Sequence, residues 1–163
     1  MMSQIISNTP KWVFVLFFVL LGFGISQMRT QIKSRNRVLI LPIVLLILSI
    51  AGVTSAFGIS FMPIAAWTVG YIALAALIGK GLATAGSSYE LSTKKFTVAG
   101  SSIPLILMMS IFFLKYFVGA SMAMQASFTN DAAFPIAVSL LYGTFSGVFT
   151  GRALRLLQLV KSA

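Results

Sequence analysis

The chain has 163 residues, 58% apolar and only 9% charged, with a formal net charge of +10 and a mean hydropathy of +1.00. Soluble domains carry about 25% charged residues, so this composition argues against a soluble monomer. With no Cys, no His and two acidic residues, Glu90 and Asp131, the chain lacks the groups for disulfides, thiolate nucleophiles, imidazole bases, His-ligated haem, ordinary zinc sites, calcium cages and paired-carboxylate hydrolysis.

A bilayer core about 30 Å thick is crossed by about 20 apolar residues in a helix. Five stretches meet that requirement: residues 12–28, 38–57, 61–79, 103–123 and 132–151. The expected fold is an all-α integral membrane protein, a single transmembrane domain over residues 1–163. The first stretch resembles a cleavable signal peptide in position. Its apolar run is longer than a signal core, only Lys11 precedes it, and Arg29, Lys33, Arg35 and Arg37 follow it. It reads as a retained helix.

Prolines fall near the beginning of each stretch, at Pro10, Pro42, Pro63, Pro104 and Pro135. The first helical turn has unpaired N–H groups anyway, so proline is tolerated there. Pro42 lies deepest, and a helix beginning near Val38 is expected to bend at it. Basic connections stay in the cytoplasm. The connection after the first stretch holds Arg29, Lys33, Arg35 and Arg37; that after the third holds Lys80, Lys94 and Lys95; the C-terminal tail holds Arg152, Arg155 and Lys161. The alternate connections carry only Asp131, and the N-terminal arm only Lys11. This pattern predicts an outside N-terminus and a cytoplasmic C-terminus. It also accounts for the net charge without a nucleic-acid partner, since surface cations attract anionic headgroups.

Residues 81–102 do not read as membrane-spanning. Tyr89 and Leu91, then Phe96 and Val98, alternate with polar residues on either side of Ser92–Lys95. That pattern predicts a short cytoplasmic β-hairpin, with an irregular loop as the alternative.

The fourth stretch carries the only charge inside a span, Lys115. A charge at membrane depth is expensive and a functional candidate by default. Lys115 sits about 12 Å from the outer end of its helix, with Tyr116 beside it and Asp131 opening the next helix. Three readings stay open: snorkelling or an ion pair with Asp131, a ligand or ion site, and acid–base chemistry. Asn130 and Asp131 are natural N-caps, and capping is the favoured reading of Asp131. Met62, Met122, Met124, Met1 and Met2 gather on the outer side, where thioethers serve either as Cu(I) ligands or as pliable packing; no metal or cofactor is expected. In the fifth stretch Ser139, Gly143, Gly147 and Gly151 recur every four residues, a small-residue groove for a close helix contact. Gly70, Ala75, Gly79, Gly119 and Ala123 offer partner positions. The contact is expected within the chain rather than with a second copy.

A basic turn running into a Leu-Pro helix (Arg35 to Pro42), the sequence Gly100-Ser101-Ser102-Ile103-Pro104-Leu105, and a helix carrying Phe112-Phe113-Leu114-Lys115-Tyr116 together resemble a group of small uncharacterised bacterial inner-membrane proteins. More faintly, they resemble multi-pass accessory proteins of cytochrome c biogenesis. The resemblance implies a bacterial inner-membrane location and supplies no activity.

The functional expectation is a non-enzymatic accessory, assembly or small-molecule-binding component. Membrane lipids, a second copy or another membrane protein are its partners. A small transporter or channel using Lys115, Tyr116, Ser139, Thr144 and Ser146 is the second reading, and chemistry on lipid headgroups the third.

Overall fold

The computed structural model describes residues 11–82 and 86–162. Pro10, Met1 and Met2 lie outside them. The described chain is mostly helical: α1 (Lys11–Ser26), β1 (Gln31–Ser34), α2 (Arg35–Phe57), α3 (Phe61–Leu77) running into a π-helical turn (Ile78–Leu82), β2 (Ser88–Glu90), β3 (Lys95–Val98), α4 (Ile103–Ala123), a 3₁₀ turn (Ser127–Asn130) and α5 (Ala133–Ser162). Four helical segments are long and apolar enough to cross a bilayer: Asn36–Phe57, Phe61–Lys80, Ile103–Ala123 and Ala133–Val160. The apolar part of α1, Val13–Ser26, is shorter.

Helix contacts fix the relative directions. Phe17 on α1 packs against Phe112, ring centroids 5.4 Å apart, while Gly24 lies against Leu105, so α1 and α4 are antiparallel. Near one end of α2, Val38 packs with Ala153 and Leu156 of α5; near the other, Val53 packs with Val138 and Tyr142. These two helices are antiparallel too. Arg152 meets Ser101 at the start of α4 and Val138 meets Val118 near its end, which sets α4 antiparallel to α5. The α3–α5 contact instead runs in parallel: Trp67 meets Gly143, Tyr71 meets Gly147 and Ala75 meets Gly151. The chain therefore passes back and forth five times, with α1, α3 and α5 pointing one way and α2 and α4 the other.

Close backbone approach holds α3 to α5. A Cβ built on Gly143 would lie 2.9 Å from the carbonyl carbon of Trp67 and 3.0 Å from the amide nitrogen of Tyr71. One on Gly147 would lie 3.1 Å from the amide of Ala75, and one on Gly151 2.9 Å from the Ala75 carbonyl oxygen. Gly70 returns the relation, its missing Cβ 2.6 Å from the carbonyl oxygen of Leu140. Between lipid-embedded helices such van der Waals contact takes over from the hydrophobic effect.

Three boundaries differ from the sequence expectation. α2 begins at Arg35 rather than near residue 38, directly after a strand, so Pro42 falls in its third turn and the helix continues through it. α3 extends past residue 79 as a π turn. α5 runs to Ser162 rather than ending at 151, about 45 Å in all. Its last turns are covered, which removes the reason to stop: Ala153 and Leu156 are buried under the strands.

Those strands form one antiparallel sheet in the order β1-β3-β2. Lys33 pairs with Phe96, and Phe96 with Tyr89. Directly paired residues share a face, so Lys33, Phe96 and Tyr89 face α5 together. Phe96 is fully buried there, which contributes about 2–3 kcal/mol. Two connections of the chain are thereby tied to one end of the helices. At the opposite end α2 and α3 are joined by Gly58, Ile59 and Ser60; Gly58 adopts φ 69° and donates its N–H to the Thr54 carbonyl at 3.0 Å, a positive-φ backbone that glycine adopts without the Cβ penalty.

Candidate functional site

Lys115 reaches across from α4 to α2 where Gly52 has no side chain. A Cβ on Gly52 would lie 3.3 Å from Lys115 Cε, 3.6 Å from its Nζ and 4.0 Å from the ring of Tyr142. The lysine remains exposed. Half-buried Tyr116 stacks on Phe112, ring centroids 6.5 Å apart. Asp131 caps α5: its Oδ1 accepts from the Ala133 N–H at 3.0 Å. The structure thus surrounds Lys115 and Asp131 with different groups rather than pairing them.

Beneath this level a polar relay links three helices. Trp67 Nε1 donates to Ser49 Oγ at 2.7 Å, and Ser49 Oγ donates to the Tyr142 carbonyl at 3.1 Å. Ser139 is fully buried, and its Oγ has no hydrogen-bond partner among the described residues. Ser146 is buried as well, and Thr144 Oγ1 donates back to the Leu141 carbonyl at 2.8 Å. Of the predicted residues, Gly143, Gly147 and Gly151 line the contact with α3, and Ser139, one turn before Gly143, is fully buried.

A second constellation lies at the sheet end, and sequence reasoning missed it. Lys33 projects from β1 and donates to Gln27 Oε1 at 2.6 Å. Arg152 Nη1 donates to Ser101 Oγ at 3.4 Å. Ser101 Oγ also accepts from the Ile103 N–H at 3.2 Å, and Ser101 N–H donates to the Gln27 carbonyl at 3.1 Å. Gly100 backs onto the Met28 and Arg29 backbone so closely that a Cβ would lie 2.8 Å from the Arg29 carbonyl carbon. The end of α1, β1, the start of α4 and α5 therefore converge on one point.

That point holds two half-buried cations. Burial pushes the Lys33 ammonium below the usual lysine range, and the neighbouring Arg152 charge adds to the effect. Neither acidic residue serves as counter-ion. Glu90 pairs in register with Lys95, on the sheet face opposite Lys33, and its Oε2 accepts from Thr93 at 2.9 Å. Asp131 is at the other end of the helices. Lys33 and Arg152 were visible in the sequence only as members of two basic segments 119 positions apart.

A family model matches residues 1–163, the whole chain: that of DUF6622, a family of unknown function. No similarity to proteins of cytochrome c biogenesis is shown. No curated protein and no solved structure matches the chain.

Proposed function

We propose that this chain, which belongs to the DUF6622 family, is an integral protein of the bacterial inner membrane that works without catalysis, as an accessory, assembly or small-molecule-binding component. One observation carries the placement in the membrane. The alternating helices and the shared sheet gather the segments bearing Arg29, Lys33, Arg35, Arg37, Lys80, Lys94, Lys95, Arg152, Arg155 and Lys161 at a single end. The opposite end carries Lys11 and Asp131. Ten of the twelve basic residues on one side make that side cytoplasmic under the rule that basic connections are retained. The N-terminus is then outside and the sheet faces the cytoplasm. Lipids, a second copy or another membrane protein meet the chain in the bilayer or on this basic face.

The native chain has no cysteine, so single cysteines placed at 94 and at 130 give unambiguous side-specific labelling. We expect the two to label from opposite compartments; labelling from the same one overturns the orientation. Co-purification of a defined partner from mild detergent tests the accessory role.

Lys115 favours a second reading, a small transporter or channel using Tyr116, Ser139, Thr144 and Ser146 along the same helices. Its ammonium beside Gly52 and Tyr142 is a cation at membrane depth, where charges mark ion and substrate routes. Flux in proteoliposomes that is unaltered by a folded Lys115→Met variant ends that reading.

A further inference from the structure

We propose that Lys33, Arg152 and Ser101 form a binding site for the phosphate group of an anionic membrane phospholipid. The site rests on the reading of the chain as membrane-spanning but not on its orientation. Two like charges are held half-buried and adjacent, which is unfavourable unless an anion joins them. Each donates to a neutral oxygen, Gln27 Oε1 and Ser101 Oγ, so neither charge is neutralised by its partner. The chain's own carboxylates are on the far sheet face and at the far end of the helices. The start of α4, a helix of 21 residues, adds the positive end of its dipole at Ser101–Ile103.

The donors suit a phosphate. A guanidinium presents a planar fork that fits two phosphate oxygens, and an ammonium adds a point charge with rotatable donors. The surroundings favour a lipid over free phosphate. The site sits where apolar helices give way to a polar sheet, the level of headgroups. Next to it Phe23 and Ile25 on α1, and Ile103 and Ile106 on α4, present exposed apolar surface along which acyl chains can lie. The cluster is a junction of four chain segments, so an occupant also ties α1 and α4 to the sheet.

The test is native mass spectrometry of the full chain in mild detergent, titrated with phosphatidylglycerol, with phosphatidylcholine of the same chain length, and with inorganic phosphate. We expect phosphatidylglycerol to bind in preference to the other two. Lys33→Gln and Arg152→Gln should each weaken it about fivefold, the equivalent of about 1 kcal/mol per cation. Lys94→Gln, on the exposed turn between β2 and β3, should leave it unchanged. If Arg152→Gln does not fold, Lys33→Gln alone decides. Unchanged phosphatidylglycerol preference in folded Lys33→Gln overturns the site. So does an equal loss in Lys94→Gln, which would reduce the attraction to net charge. Binding of inorganic phosphate as strong as that of the lipid overturns the lipid assignment. Detergent has no sidedness, so these results stand apart from the labelling that tests orientation.

Discussion

The carbonyl group of Trp67 rests on the Cα of Gly143, with no side chain between the two helix backbones. The same relation repeats one turn on, where Tyr71 meets Gly147, and again where Ala75 meets Gly151. A methyl group at any of these positions has to push the helices apart.

Gly143→Ala should therefore lower the melting temperature in detergent, with a loss of about 1–3 kcal/mol, the usual range for overpacking. Gly147→Leu should do more and expose the α3–α5 seam. Gly22 and Gly119 lie inside helices with nothing within 4 Å of where a Cβ would be, so alanine there should cause no loss and should gain up to about 1 kcal/mol from helix propensity. Equal melting of Gly143→Ala and Gly119→Ala would contradict the close contact.

Removing Ser49 leaves the Trp67 indole N–H without its acceptor. A double-mutant cycle between Ser49→Ala and Trp67→Phe should give a coupling of about 0.6 kcal/mol, up to about 1.7, as for other hydrogen bonds between membrane helices. A coupling indistinguishable from zero would mean that the relay does not join α2 to α3.

Phe96 anchors the sheet to α5. Phe96→Ala should cost about 3–5 kcal/mol, concentrated at the sheet. Trypsin should then cut faster after Lys94 and Lys95, which lie in and beside the exposed turn, while the apolar helices stay protected. Cleavage at the parent rate would show that Phe96 is not the anchor.

Lys33 predicts a pH dependence. Its folded-state value is lowered below the ordinary 10.5 by burial first and by Arg152 second. Below the folded value both states hold the proton and the destabilisation is present in full. Between the folded value and 10.5 the unfolded chain binds more protons, so stability rises with pH. Above that window the penalty is gone. The parent should gain thermal stability as pH climbs toward 10.5 by an increment that Lys33→Gln lacks; parallel curves for the two would refute the burial of this ammonium.

Much of the architecture is readable from residue order, for a physical reason. A helix that satisfies its own backbone in lipid needs an unbroken apolar run, and such runs are plain in residues 38–57, 61–79, 103–123 and 132–151. The four-residue row of Ser139, Gly143, Gly147 and Gly151 is equally visible. Its partner is legible only in part: Gly70 and Ala75, small residues of the third stretch, do meet α5, whereas Trp67 and Tyr71 meet it through backbone atoms, which leave no mark on a sequence. The extension of α5 beyond 151 is hidden by Arg152 and Arg155, which break the hydropathy. The signal that survives is helical spacing: Ala153, Leu156, Leu157 and Val160 recur on one side.

Strand β1 inverts the usual pattern. Its apolar residue, Ile32, points outward and is 68% exposed, while Gln31 and Lys33 take the inner side. Alternation of apolar and polar residues, the property that makes a strand legible, is thus absent from Gln31–Ser34. The Lys33–Arg152 neighbourhood is lost with it, since β1 is what delivers Lys33 to α5.

The middle strand of the sheet is β3, and both its neighbours depend on it. During synthesis β1 leaves the ribosome long before β3, with two helices still to be made between them. Its backbone donors and acceptors therefore have no sheet partner while α2 and α3 are made, and they find one only once the later connection has emerged. The sheet cannot be complete before β3 is made, and its completion joins the early half of the chain to the late half.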